Sequence, residues 1–115
     1  MMFKDGHRVP VLDWLDRLQR KARLKCYHAF SRLESEGHKL RRPEADNLGD
    51  GIYELRVKHS GNNYRILYSF DGQTVVVLTH AFSKKTGGVP KRDIATAIKR
   101  MAKYRRGKAR YSFTG

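Results

Sequence analysis

The stretch of residues 52–86 constrains the fold of this chain more than any other feature of its sequence. It contains three apolar-rich segments, which are separated by the turn signals Ser60-Gly61 and Asp71-Gly72. Segments of this length, divided by glycine-containing turns, are typical of an antiparallel meander. Side chains alternate between the two faces of a strand, so each segment can bury one face and leave the other to polar residues. The sequence therefore predicts a three-stranded antiparallel sheet at the centre of the domain.

Helical periodicity appears on both sides of this predicted sheet. Apolar spacing predicts one helix over about residues 9–19 and a second whose apolar stripe covers residues 22–33, with Gly37 as its C-terminal cap. We expect these two helices to form a hairpin that covers one face of the sheet. A last helix is predicted to begin at residue 89, with a single apolar stripe surrounded by lysine and arginine.

The remaining segments carry weaker signals. Residues 38–50 are predicted to be a loop, and structureless loops of this length are often functional. Residues 1–107 are expected to form a single domain, because a chain of 115 residues can bury one hydrophobic core. Residues 108–115 have no hydrophobic period and are expected to be a basic, mobile tail.

The charge balance narrows the possible partners. The chain has 25 Lys and Arg against 11 Asp and Glu, a formal net charge of +14, and this self-repulsion opposes compaction. Nucleic acid is the first candidate for a polyanionic partner, an acidic protein the second and an anionic membrane surface the third. Cys26 is the single cysteine, so no intrachain disulfide can form. Without a signal peptide or a membrane-spanning segment, a cytoplasmic location is expected. No metal-ligand spacing or cofactor motif is present, so we expect no metal and no cofactor.

Five cationic residues lie on or directly after the predicted strands: Arg56, Lys58, Arg65, Lys84 and Lys85. Arg56, Lys58 and Arg65 can share one face of the sheet if the hairpin register allows it. Like charges brought together on one face repel one another, and a dense anion bound over them removes that penalty. An RNA phosphate during cleavage is such an anion, because attack by the ribose 2′-OH develops negative charge that Arg and Lys stabilise. Four of these residues are therefore candidate catalytic cations, namely Arg56, Arg65, Lys84 and Lys85, and Lys58 is a candidate for RNA binding.

Such a reaction also needs groups that move protons. His80, at the end of the last predicted strand, and Tyr104, in the last helix, are the candidates, and each has an alternative role in packing the core. Further basic residues are candidates for RNA binding: Lys58, His59, Lys91, Arg92, Lys99, Arg100 and Lys103. The basic run of the last helix suits either ribosomal RNA or an acidic protein segment.

Four motifs in order resemble the RelE/ParE toxin superfamily, and most closely its HigB-like, phage-derived branch. They are PVLDWL at residues 10–15, LGDGIYELR at 48–56, YRILY at 64–68 and HAFSKKT at 80–86. The resemblance implies an α+β RelE-like fold, in which an N-terminal helical hairpin and a C-terminal helix accompany a small antiparallel sheet. Such folds usually begin with a strand, and here only residues 1–4 precede the first turn, so that strand is short or missing.

The resemblance also implies the toxin of a type II toxin–antitoxin system that cleaves mRNA in the ribosomal A site without metal. Its partners would be the ribosome, mRNA and a cognate antitoxin, which in this branch usually has a helix-turn-helix DNA-binding domain. By motif position, Arg65 matches the arginine that stabilises the transition state, and Arg56 matches a basic residue of the preceding strand. Lys84 and Lys85 match the basic pair after the last strand. Glu54 stands where ribonuclease members often have a basic residue.

Two other functions remain open from the sequence. The first is a ParE-like toxin that inhibits DNA gyrase and has no nuclease activity, since such proteins share this fold. The second is a degenerate, non-toxic module that binds nucleic acid or an antitoxin. The retained Arg56, Arg65, Lys84 and Lys85 favour the nuclease.

Overall fold

Six strands and three α-helices make up the computed structural model of the protein, which describes residues 1–84 and 87–115. The strands are β1 (Met2–Phe3), β2 (Ala45–Gly49), β3 (Ile52–His59), β4 (Asn62–Asp71), β5 (Val75–Lys84) and β6 (Ser112–Phe113). The helices are α1 (Pro10–Asp16), α2 (Arg20–Glu36) and α3 (Lys91–Arg106). This arrangement confirms the predicted α+β class and is consistent with a RelE-like fold.

All six strands belong to one sheet, in the order β2-β3-β4-β5-β1-β6. The predicted meander is confirmed as β3, β4 and β5, which pair antiparallel with their sequence neighbours. The short first strand is also present, and β1 runs parallel to β5 through the pair Met2–Leu78. Strand β6 pairs antiparallel with β1, so part of the basic tail extends the sheet. Mobility of that tail stays a prediction.

The prediction of a loop over residues 38–50 was wrong for its second half. Strand β2 lies within this segment and pairs with the first part of β3. Its residues ADNLG are poor strand formers, so propensity alone does not indicate a strand here. A two-residue turn imposes the pairing, because Asp50 and Gly51 have φ angles of 55° and 75°. Two consecutive positive φ angles match the sharp turn that joins twisted antiparallel strands, and Asp-Gly is a favoured sequence for it.

The two faces of the sheet are covered by different helices. Helices α1 and α2 are separate, as predicted, and contribute Trp14, Leu15 and Leu33 to a core against Leu55 and Ile66 of the sheet. Buried Cys26 belongs to the same core, and its burial raises the pKa of the thiol to about 11. Within the described ranges, none of the helices is long and apolar enough to cross a bilayer.

Helix α3 covers part of the opposite face, which the sequence had suggested was free for phosphate. Ala97 and Met101 of α3 pack against Leu67 and Val77 of the sheet in a second core. Only the part of this face that α3 leaves uncovered is therefore available to a ligand. That part holds the C-terminal ends of β3 and β5 and the N-terminal end of β4.

Candidate functional site

The register of the central strands places Arg56 directly opposite Arg65. Phe82 of β5 pairs with Arg65 on its other side, so the three residues form one row across the sheet. Phe82 also packs into the core beneath α3, so this row lies on the α3 face. The side chain of Arg56 is 29% exposed and that of Arg65 is 13% exposed. We call these two residues the arginine pair.

Glu54 is the negative charge that holds the arginine pair together. Its carboxylate is almost fully buried and accepts a hydrogen bond of 2.7 Å from Arg56 Nε. The other carboxylate oxygen, Oε2, lies 3.4 Å from Arg65 Nε, close enough for an ion pair. Arg56 also donates to Asp46 Oδ2 at 3.3 Å. The repulsion expected between the strand arginines is thus offset within the chain, at a residue that the sequence argument did not use.

One buried donor of the arginine pair has no hydrogen-bond partner among the described residues. Arg65 Nη1 is buried, and in residues 1–84 and 87–115 nothing accepts a hydrogen bond from it. Glu54 Oε2 is likewise buried without a hydrogen bond in that part of the chain, because its approach to Arg65 Nε has the distance of an ion pair only. Buried polar atoms are normally paired, so each such exception requires an explanation. A ligand oxygen next to Arg65 would provide one.

A second row of residues lies beside the arginine pair, nearer the hairpin turn that joins β3 to β4. It contains Lys58, Asn63 and Lys84, which pair in that order across β3, β4 and β5. Lys58 is exposed, whereas Lys84 donates a hydrogen bond to the carbonyl oxygen of Gly88. The predicted partner Lys85 lies outside the described residues. The register thus brings four of the five predicted strand cations to one corner of the α3 face.

His80 lies on the same face but contacts α3 rather than the arginine pair. Its Nε2 is 2.7 Å from Asp93 Oδ1, and its Nδ1 is 3.1 Å from Arg100 Nη1. Arginine can only donate, so Nδ1 accepts this bond and the neutral ring carries its proton on Nε2. Both ring nitrogens are therefore engaged. The role of His80 in proton transfer stays a prediction.

Tyr104 lies at the other end of the sheet. Its hydroxyl donates a 2.7 Å hydrogen bond to Asp71 Oδ2, and burial followed by this contact raises the pKa of Tyr104 to about 12. Asp71 is six residues from Arg65 along β4, which corresponds to roughly 20 Å at ~3.3 Å per residue. The structure therefore does not bring Tyr104 to the arginine pair. A phenol protonated at neutral pH and bonded to Asp71 has an evident role in joining α3 to the sheet.

Replacing Tyr104→Phe should lower the free energy of unfolding by about 1–2 kcal/mol, because one hydrogen bond to a carboxylate is lost. The hydrogen bond from Tyr104, followed by that from Lys108, lowers the pKa of Asp71 below its ordinary value of 3.8. The stability that this bond contributes is therefore fully present above pH 3.8, and it is lost as the pH falls through the pKa of Asp71 in the folded protein. The same contribution to stability declines as the pH rises from 10 to about 12, because Tyr104 ionises at a lower pH in the unfolded chain than in the folded protein. Chemical denaturation across pH measures the difference between parent and variant.

The matched control is Tyr111→Phe. The Tyr111 ring stacks on Phe3, but its hydroxyl has no hydrogen-bond partner in the described ranges. This variant should change stability by less than about 0.5 kcal/mol at every pH. Equal losses for the two variants would contradict the role given to the Tyr104–Asp71 bond.

The predicted RNA-binding residues fall into three groups. Lys58 and His59 are at the end of β3, where alternation directs them to opposite faces of the sheet. Lys91 and Arg92 are exposed in the first turn of α3. The other three are on the side of α3 that faces α1: Lys99, Arg100 and Lys103. Their binding roles stay predictions.

A cleft of about 600 Å³ separates α1 from α3, and we call it the α1–α3 cleft. Its cationic lining consists of Arg8, Arg17, Lys99, Arg100 and Lys103, and its acidic lining of Asp5 and Asp13. His80 lies at its floor. Arg8 and Arg17 were missed by sequence reasoning, because nothing in the sequence shows which face of α1 meets α3. In the described part of the chain, no group of three or more His, Cys, Asp or Glu residues is arranged to hold a metal ion.

The fold and this face together define a class of protein. A small sheet with helices on both faces, and with arginines paired across its central strands, is consistent with a RelE-like toxin. A family model described as "Phage derived protein Gp49-like (DUF891)" matches residues 13–102. The chain therefore belongs to the Gp49-like family, a family of RelE-like toxins of toxin–antitoxin systems. A search of the curated proteins found no match.

Membership in this family has one direct consequence for partners. A toxin of a toxin–antitoxin system implies a cognate antitoxin that binds it. The family model includes the arginine pair, His80 and most of α3, but not β1 or β6. The narrower HigB-like assignment stays a prediction.

Proposed function

We propose that this protein is a HigB-like toxin that cleaves mRNA on the ribosome, without metal, and so inhibits translation. The observation that carries the proposal is the arginine pair with its buried, unpartnered donor. Arg65 Nη1 is buried without a protein acceptor in the described ranges. A phosphate oxygen fits that position, because guanidinium groups bind phosphate through two parallel hydrogen bonds.

The proposed reaction needs charge stabilisation more than any other contribution. The ribose 2′-oxygen attacks the adjacent phosphorus while its proton leaves to a base. The bond from phosphorus to the 5′-oxygen of the next nucleotide breaks, and an acid gives that oxygen a proton. The products are a 2′,3′-cyclic phosphate and a 5′-hydroxyl end. Arg65 and Arg56 stabilise the negative charge that develops on the phosphate oxygens, an effect that is strongest for preorganised donors. Glu54 provides that preorganisation by fixing Arg56 and positioning Arg65.

The neighbouring lysines bind the RNA backbone in this proposal. Lys58 and Lys84 lie one row from the arginine pair, so they can contact the phosphates that flank the cleaved bond. Lys85 follows Lys84 in sequence and takes the same role. For the proton transfers, His80 is a better candidate than Tyr104, since it shares a face with Arg65 and Tyr104 is bonded to Asp71.

The experiment that tests this function is expression of the chain alone and together with the product of the neighbouring gene. Transcript 5′ ends are mapped across the transcriptome after induction, and gyrase-dependent DNA breaks are measured in the same cultures. We expect growth arrest, new 5′-hydroxyl ends inside translated reading frames, and loss of both when the antitoxin is present.

Three results would contradict the proposal. DNA breaks with intact transcripts would assign the chain to the ParE-like, gyrase-inhibiting toxins. Normal growth without the neighbouring gene product, together with intact transcripts, would identify a non-toxic binding module. New RNA ends that persist when translation is blocked would contradict the dependence on ribosomes.

A further inference from the structure

The α1–α3 cleft has the charge of a binding site that the described residues leave unfilled. Five cationic side chains and two carboxylates line it, which leaves a formal charge of +3. One of the two carboxylates is already neutralised, because Asp5 accepts a hydrogen bond of 2.9 Å from Lys103. Through the part of the chain that the structure describes, Arg8, Arg17 and Arg100 form no ion pair with any carboxylate. Three guanidinium groups are thus available to an anion.

Arg100 is held in place at the floor of the cleft. Its Nη1 donates to the carbonyl oxygen of Thr79 at 2.8 Å and to His80 Nδ1 at 3.1 Å. Asp93 orients His80 from the other ring nitrogen, so the position of Arg100 is fixed by two elements. Burial, and then the charge of Arg8, lower the pKa of Arg100, while Asp5 opposes this shift. A half-buried cation beside a second cation is stabilised by any anion that binds between them.

The lining favours a phosphate backbone over an acidic protein segment. Protein partners usually insert aromatic or aliphatic anchors into apolar pockets at the centre of an interface. The aromatic residues that line this cleft, Phe3 and Trp14, are only 1% and 6% exposed, so they offer no such pocket. What the cleft presents instead is several guanidinium forks, whose geometry matches phosphate oxygens. Sequence-independent RNA binding relies on contacts of this kind.

We propose that the α1–α3 cleft is a second phosphate-binding site, which holds the RNA strand away from the cleaved bond through Arg8, Arg17 and Arg100. This inference rests on the proposed function. The two sites are neighbours along β5, since His80 lines the cleft while Phe82, two residues further along the strand, pairs with Arg65. An RNA strand that follows this part of β5 would contact both.

The test is the affinity of the full chain for a single-stranded 2′-O-methyl RNA oligonucleotide, measured as a function of salt. This RNA keeps its phosphates but cannot be cleaved, because the attacking hydroxyl is blocked. Removing two phosphate contacts with the double variant Arg8→Gln/Arg17→Gln should reduce the salt slope by about 1.4, at about 0.7 per contact on single strands. The corresponding loss of affinity is roughly 10- to 30-fold at ~0.1 M salt. Both side chains are exposed, so the variant should fold.

The matched control removes the same charge elsewhere. Arg105→Gln/Arg106→Gln also eliminates two exposed arginines, but these lie at the end of α3 and outside the cleft. We expect it to lose less than about threefold in affinity, which reflects net charge alone. Equal losses for the two double variants, or an unchanged slope for the cleft variant, would overturn the proposal.

Two further results separate this proposal from the proposed function. If the parent cleaves no transcript but the cleft variant still loses RNA affinity, the cleft proposal stands and the nuclease fails. If the parent cleaves transcripts and the cleft variant binds RNA with full affinity, the nuclease proposal stands and the cleft proposal fails. Binding of polyglutamate that depends on Arg8 and Arg17, with RNA affinity unchanged, would assign the cleft to an acidic protein partner and overturn the proposal.

Discussion

Arg65→Ala is expected to lower the rate of mRNA cleavage by about 10²- to 10³-fold and to abolish growth arrest, while the protein remains folded. A preorganised donor aimed at the developing negative charge typically contributes that much to the rate. Arg65 has the required environment, since its side chain is 13% exposed and its Nη1 has no protein acceptor in residues 1–84 and 87–115. Arg56 keeps its bond to Glu54 in the variant, so the carboxylate is not left without a partner.

Single-turnover cleavage of an mRNA bound to purified ribosomes measures this effect directly. Arg65→Lys provides a graded comparison, because it keeps the positive charge but loses the planar fork, and we expect an intermediate rate. Thermal unfolding of each variant shows whether a loss of rate reflects a loss of fold. An Arg65→Ala protein that is folded and cleaves at the parental rate would exclude Arg65 from the reaction.

The matched control is Arg32→Ala on α2. Arg32 also carries a full positive charge and forms ion pairs, with Glu36 at 2.8 Å and with Glu44 at 3.2 Å. It is exposed, and it belongs to the helix that covers the other face of the sheet. Its removal should leave cleavage within about twofold of the parent, because exposed pairs of this kind contribute little to stability and, among the described residues, Arg32 is ion-paired with Glu36 and Glu44 rather than with Glu54.

The central sheet could be predicted because the residues that determine its pairing are close together in the sequence. A two-residue turn at Ser60-Gly61 fixes the register of β3 against β4, and alternation then directs Arg56 and Arg65 to one face. The helical spacing of residues 22–33 likewise identified the face of α2 that packs on the sheet. Each of these predictions depends on neighbours within one hairpin or one helix.

The parts that could not be predicted depend on contacts between distant segments. Strand β1 has two residues and therefore no alternation to detect, and it is defined by pairing with β5, more than 70 positions away. The bond between His80 and Asp93 requires knowing that α3 crosses the face that carries the arginine pair. The cleft needs the packing of α1 relative to α3, which no periodicity specifies. Glu54 differs from these features, because the alternation of side chains along β3 is enough to place it on the same face of the sheet as Arg56.

Glu54→Gln is expected to lower the free energy of unfolding by about 3 kcal/mol. Removing one partner of a largely buried ion pair leaves the other charge without compensation, and here two guanidinium groups lose the same carboxylate. Asp46 remains bonded to Arg56, so Arg65 bears most of the loss. Urea denaturation measures the change. The matched control Glu36→Gln, which breaks an exposed pair with Arg32, should cost less than about 0.5 kcal/mol.

The same variant should convert the arginine pair into a stronger anion site. Without Glu54, the negative charge between Arg56 and Arg65 must come from outside the protein, and sulfate resembles a phosphate group in shape and charge. Sulfate stabilises most folded proteins by exclusion from their surface, so only the gain beyond that of the parent and of Glu36→Gln is informative. We expect sulfate to recover a large part of the loss in Glu54→Gln and to add little in the control. A stability loss that sulfate does not reduce would mean that Glu54 supports packing rather than neutralising the arginine pair, and it would remove the reason for placing a phosphate there.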